Sequence, residues 1–83
     1  MYRIVFRRRT EKQLRKIPAR DRERILEAIS SLGLDPFQGK KLEGDFDGFF
    51  AIRIWPYRVI YAIDRKIVTV TIVRVGHRQG VYK

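Results

Sequence analysis

The sequence predicts an α+β domain in the order β-α-α-β-β-β, an N-terminal helical hairpin packed on a mostly antiparallel four-stranded sheet. Three observations carry this. A short alternating segment opens the chain and two stretches with helical spacing follow. The remainder is dense in β-branched and aromatic residues broken by tight turns. At 83 residues and 45% hydrophobic composition, one domain over 1–83 is expected, with a core but little to spare.

The first element is "YRIVFR" (2–7), in which Tyr2, Ile4 and Phe6 share one face and Arg3, Val5 and Arg7 the other. Thr10 followed three residues later by Gln13 reads as a capping box, which predicts a helix starting at Thr10. Pro18 ends that helix or opens the next one from its first turn. The second helix runs through "ARDRERILEAISSL", with Ile25, Ala28, Ile29 and Leu32 on one face and Gly33 as its C-terminal cap. Its other face, Arg20, Asp21, Arg24 and Glu27, reads as solvated with local charge pairs.

"GLDPFQGKKLEGDFDG" supplies turn chemistry. The strands "FFAIRIW" (49–55) and "YRVIYAI" (57–63) are split by Pro56, which fits a turn and not a central strand. "KIVTVTIVRV" (66–75) follows a tight turn at Asp64-Arg65. Alternation puts Arg58 with Ile60 and Ala62, and Tyr57, Val59, Tyr61 and Ile63 on the opposite face.

Composition narrows the function classes. The chain has no cysteine, which excludes disulfides and cysteine-based zinc sites, and its single histidine argues against a catalytic metal centre. Charge enters within the first few residues and no apolar run is long enough for a membrane span, so a cytoplasmic protein with no membrane partner is expected. Nineteen Lys and Arg against nine Asp and Glu give a net charge of +10, a field that attracts phosphate polymers or an acidic protein.

The cations concentrate toward the end of the chain, where residues 65–83 carry five Lys or Arg and no acid. A tight hairpin across Pro56 would bring Arg53 and Arg58 within reach on one sheet face. Two guanidiniums there repel unless an anion lies between them, and a bound phosphate or plain solvation both satisfy that. The ending "RVGHRQGVYK" places Arg74, His77, Arg78, Tyr82 and Lys83 directly after a strand. His77 can carry a proton near neutral pH, Arg78 can grip phosphate with a planar fork, and Tyr82 can stack on a base.

The run "KKLEGDFDGFFAIRIWPYRVIYAI", followed by "VTIVRVGHRQGVY", resembles the RelE branch of the RelE/ParE toxin superfamily. The resemblance spans essentially the whole chain, helical hairpin included. It implies a toxin of a type II toxin–antitoxin system, a metal-independent, cofactor-free endoribonuclease that cuts messenger RNA in the ribosomal A site. Its implied partners are the ribosome and a RelB-like or other small antitoxin, acidic where it wraps the toxin. Arg58, Arg78 and Tyr82 match the family's functional arginines and C-terminal tyrosine, and Arg53 falls near a position usually held by lysine. Lys40, Lys41, Arg74 and Lys83 complete the expected RNA-binding set. The family's lysine pair stands here as Ala51 and Arg53, and arginine is a poor general base. His77 is therefore expected to take acid or base work. Two other readings remain: a ParE-like gyrase inhibitor, and a basic module that acts mainly by binding its antitoxin.

Overall fold

The computed structural model describes residues 1–82. In chain order these form β1 (Arg3–Phe6), α1 (Arg8–Arg15), α2 (Ala19–Ser31), β2 (Lys40–Lys41), β3 (Phe50–Ile54), β4 (Tyr57–Asp64) and β5 (Thr69–His77). The sheet order is β1-β5-β4-β3-β2, antiparallel except for the parallel β1–β5 pair at one edge. The α+β class and the helices-then-sheet order are as expected, but the sheet has five strands, not four. The added strand, β2, is two residues long, too short for alternation to reveal; it is defined by pairing of Lys40 with Ala51 and Lys41 with Phe50.

Both helices cover one face of the sheet. Ile25, Ile29 and Leu32 are essentially sealed from solvent and pack with Leu14, Ile17, Val59, Tyr61, Val70, Ile72 and Val75. Tyr2, Ile4 and Phe6 pack against the same cluster, as the alternation of the first strand requires. Each large aliphatic side chain buried here contributes roughly 1.5–3 kcal/mol of transfer free energy. Tyr61 is buried whole because its hydroxyl is satisfied: it donates to the Pro36 carbonyl (2.7 Å) and accepts from the Gly39 N–H (3.1 Å). Burial holds its phenol pKa above 10, the Gly39 N–H opposes that rise, and the Asp35 charge adds to it.

Three local expectations are corrected. α1 begins at Arg8, with Thr10 inside it, and neither Thr10 nor Gln13 caps the helix. The reason lies at the sheet edge. β1 ends at Phe6, opposite Ile72, so beyond that point the outer edge of β5 has no neighbouring strand. Gln13 fills the gap, its Oε1 accepting the Val75 N–H (2.8 Å), while the buried Thr10 hydroxyl donates back to the Arg7 carbonyl (2.6 Å). Nor is Gly33 the C-terminal cap of α2: Leu32 holds that position and Gly33 follows it. It allows close approach to Tyr2, the residue before β1, since a Cβ there would lie 3.2 Å from the Tyr2 carbonyl oxygen. Finally, Lys66–Val68 belong to the β4–β5 turn and not to β5; the Asp64 carboxylate accepts the N–H groups of Lys66 (3.0 Å) and Ile67 (3.3 Å). Pro18 directly precedes α2, and its carbonyl accepts the Arg22 N–H (2.9 Å). Among the described residues, no helix is long and apolar enough to cross a membrane.

One irregularity decides what the second face carries. In β5 the register to β4 shifts between Ile60 and Tyr61: Ile60 pairs with Arg74, but Tyr61 pairs with Ile72. The extra residue is Val73. A bulge of this kind reverses the in–out parity of everything after it. Val73 and Arg74 both serve the second face, and Gly76 follows them there opposite Arg58, while Val75 and His77 turn to the helix side.

Candidate active site

The second face has its own small core. Ile60, Val73 and Val81 are buried beneath Leu42, Phe46, Phe49, Ala62 and Tyr82. The segment between β2 and β3 supplies the three cover residues Leu42, Phe46 and Phe49, and the tail supplies Val81 and Tyr82. The tail is held by hydrogen bonds from the Gly80 and Val81 N–H groups to the His77 carbonyl (2.9 and 3.0 Å) and from Arg74 Nη1 to the Val81 carbonyl (3.2 Å). The Arg74 guanidinium also lies 5.3 Å from the Phe46 ring centre. The ending is therefore a folded part of the domain as far as Tyr82.

Beyond this cover the same face becomes cationic. Arg53 and Arg58 are direct cross-strand partners, as the hairpin across Pro56 predicted. Their side chains project from the same face, one from each strand. Among the described residues no carboxylate is paired with either of them. Arg58 faces Gly76 across β5, so no neighbouring side chain covers it from that strand. Its guanidinium lies 5.8 Å from the Tyr82 ring centre, and that ring is set edge-on to Phe46 at 5.4 Å. Two guanidiniums on one face, one of them beside an anchored aromatic ring, suit a phosphate with an attached planar base.

The remaining expected residues are distributed differently. His77, at the end of β5, pairs with Tyr57 on the helix face, its ring edge-on to that of Tyr57 at 6.3 Å. The structure does not bring it to Arg58; the bulge at Val73 is the cause. Tyr57 in turn donates to Asp21 of α2 (3.1 Å), and its phenol pKa is raised by partial burial and by the Asp21 contact. Arg78 sits at the hairpin tip, its N–H donating to the Pro56 carbonyl (2.9 Å) and its guanidinium 4.8 Å from the Trp55 ring centre. Lys40 lies opposite Ala51 at the sheet edge, on the face of Arg53, whereas Lys41 lies opposite Phe50 and projects to the other side. Lys83 lies outside the described residues.

Sequence reasoning missed one basic feature. A cavity of about 630 Å³ opens between α1 and the end of β5, lined by Arg8, Arg9, Lys12 and Lys16 together with Arg74. The spacing 8, 12, 16 marks one helical face and was legible; that this face borders the tail was not, because it depends on α1 docking at the edge of β5.

The comparisons with known proteins agree with this architecture. A family model described as the ParE toxin of the type II toxin–antitoxin system parDE matches residues 4–82. Toxin RelG of Mycobacterium tuberculosis is 34% identical over 84 residues, covering 99% of this chain and 97% of that protein. Among solved structures, the toxin–antitoxin complex RelBE2 from Mycobacterium tuberculosis superposes with a TM-score of 0.86 at 34% identity, covering 93% of this chain and 98% of the other. The isolated E. coli RelE toxin matches with a TM-score of 0.81 at 25% identity, covering 93% and 84%. The archaeal RelE–RelB complex from Pyrococcus horikoshii OT3 gives 0.80 at 29%, covering 96% and 98%. With a fold that superposes on these toxins and a family match over nearly its whole length, the chain belongs to the RelE/ParE superfamily of type II toxin–antitoxin toxins, on its RelE branch.

Proposed function

We propose that this toxin is a ribosome-dependent messenger RNA endonuclease. The observation that carries the reading is the Arg53–Arg58 pair, cross-strand partners without a paired carboxylate among the described residues, with Arg58 beside the anchored ring of Tyr82. In the reaction, the ribose 2′-oxygen loses its proton and attacks the adjacent phosphorus. The bond to the 5′-oxygen breaks, that oxygen takes up a proton, and a 2′,3′-cyclic phosphate and a 5′-hydroxyl result. Arg53 and Arg58 stabilise the charge that builds on the non-bridging oxygens, through charge-assisted hydrogen bonds that strengthen toward the transition state. Tyr82 stacks on a base and holds the backbone in line. Arg78 and Lys40 add positive potential along the strand path.

His77 lies outside this phosphate-facing group, so catalysis rests on charge and positioning more than on a side-chain base. The cleavage rate of His77→Ala on programmed ribosomes is expected to follow the wild-type pH dependence. A pH dependence that changes in the variant would return His77 to the reaction.

The toxin's cognate antitoxin is proposed to be RelB-like or another small protein with an acidic toxin-binding segment. The superfamily relatives solved with RelB support this, as does the net charge of +10. Rising salt is expected to slow association more than it speeds dissociation. The test of the activity is to programme ribosomes with a defined message, add the toxin, and map the new ends. Codon-phased cuts bearing 2′,3′-cyclic phosphate support the reading. Intact message with loss of DNA supercoiling would favour the gyrase inhibition associated with ParE-like members.

A further inference from the structure

The geometry points to a second nucleotide contact: we propose that the indole of Trp55 is a stacking platform for a nucleobase of single-stranded RNA, with Arg78 supplying charge beside it. This rests on the RNA-cutting reading and extends it to a residue outside the Arg53, Arg58 and Tyr82 group. Trp55 is the chain's single tryptophan and is 65% exposed, so a large flat aromatic surface faces solvent at the β3–β4 turn. The turn is fixed from two sides. Arg24 of α2 donates to the Trp55 carbonyl (3.0 Å), and the Arg78 N–H donates to the neighbouring Pro56 carbonyl (2.9 Å). A rigid aromatic presented this way loses little entropy when a partner lands on it.

The choice of partner follows from what already covers the ring. The Arg78 guanidinium lies 4.8 Å from the indole centre, so the platform pairs a π surface with a planar cation. A nucleotide brings the complement of both, a flat base and an adjacent phosphate. An apolar protein anchor would use the indole but leave the guanidinium desolvated and unpaired. Continuity with the proposed site agrees: Trp55 closes the hairpin whose two strands carry Arg53 and Arg58. A strand tracking along that hairpin meets the arginine pair and then the indole. Every base has a π-face, so the contact adds affinity and position with little base preference.

Because Trp55 is the only tryptophan, its emission reports the contact directly. The purified full chain is titrated with a 2′-O-methyl single-stranded RNA hexamer, which cannot be cut, and with an abasic hexamer of the same backbone. Labelled-oligomer anisotropy is read in parallel. The expected result is strong quenching at saturation by the base-bearing oligomer and little by the abasic one. Trp55→Ala weakens the base-bearing oligomer about ten-fold, leaves the abasic one unchanged, and Trp55→Phe recovers most of the loss. Equal quenching by both oligomers, or equal affinity of wild type and Trp55→Ala for the base-bearing one, overturns the platform. Cleavage on programmed ribosomes, run beside it, reports on the RNA-cutting reading separately. Stacking without cleavage would sink that reading and leave the platform standing; cleavage without stacking would do the reverse.

Discussion

The two faces of the sheet are built from the same strands and do different work. On the helix face, Val59, Tyr61, Val70 and Ile72 are sealed beneath α1 and α2, and the chief polar group, the Tyr61 hydroxyl, has both its hydrogen-bond partners. On the other face, the described residues Leu42, Phe46, Phe49, Val81 and Tyr82 cover one end. The rest presents Arg53 and Arg58 with no paired carboxylate among the described residues. Folding free energy is concentrated on the first face, and the second is left with like charges in proximity, which is unfavourable for the free protein and favourable once an anion binds. The teaching is that charge left open on one face costs stability locally and that the sealed face supplies it.

Adjacent residues of β4 make the sharpest contrast. Arg58 and Val59 are neighbours in sequence and project to opposite faces. Arg58→Ala is expected to lower ribosome-dependent cleavage by about 10²–10³-fold, as removal of a transition-state donor does, while the thermal melt stays near wild type. Val59→Ala is expected to do the reverse. It costs about 2 kcal/mol of stability, and cleavage per folded molecule is unchanged. Denaturant melts and single-turnover rates on the same preparations check both, and a shared loss in both would erase the division between faces.

Tyr61→Phe probes the sealed face more gently. It removes the partner of the Pro36 carbonyl and the Gly39 N–H and should cost about 1–3 kcal/mol. The same residue sets a pH signature. Its folded-state pKa is raised above 10, so its stabilisation is fully present below that value and is lost as pH rises through the folded pKa. Wild type should therefore lose stability above about pH 10, less steeply in Tyr61→Phe; Tyr57, raised in the same direction, keeps part of the slope in the variant. Alkaline melts that are parallel for the two proteins would remove Tyr61 from this role.

The smallest effect belongs to the seam between the faces. Gln13→Ala orphans the Val75 N–H at the edge of β5 and should cost about 1 kcal/mol, measurable as faster hydrogen exchange at Val75. Protection equal to wild type there would show that another group satisfies that edge.

Much of this division was legible in the sequence. The alternation of β1 and of β4 assigned their faces correctly, and Pro56 forced a hairpin short enough to set Arg53 against Arg58. What alternation could not show was a change of parity. The bulge at Val73 leaves no mark in a run of β-branched residues, yet it sends Arg74 to the cationic face and His77 to the helix side. Gln13 misled for a related reason. Its spacing from Thr10 is that of a capping box, but a nonlocal vacancy at the edge of β5 claimed its side chain. β2 was invisible because its identity lies in its partner strand. For the candidate site, residue types and the order of motifs were readable, but the grouping of Arg53 and Arg58 with Tyr82, apart from His77, required the register.

The central claim is that Arg53 and Arg58 act together on one phosphate from the open face. It is tested most directly by single-turnover cleavage on programmed ribosomes with wild type, Arg53→Ala, Arg58→Ala and the double variant, each melted in parallel. The expected result is a loss in each single variant, a double variant that loses less than the product of the two, and unchanged melts. Wild-type cleavage in Arg58→Ala, or losses that track the melting temperature, would contradict it.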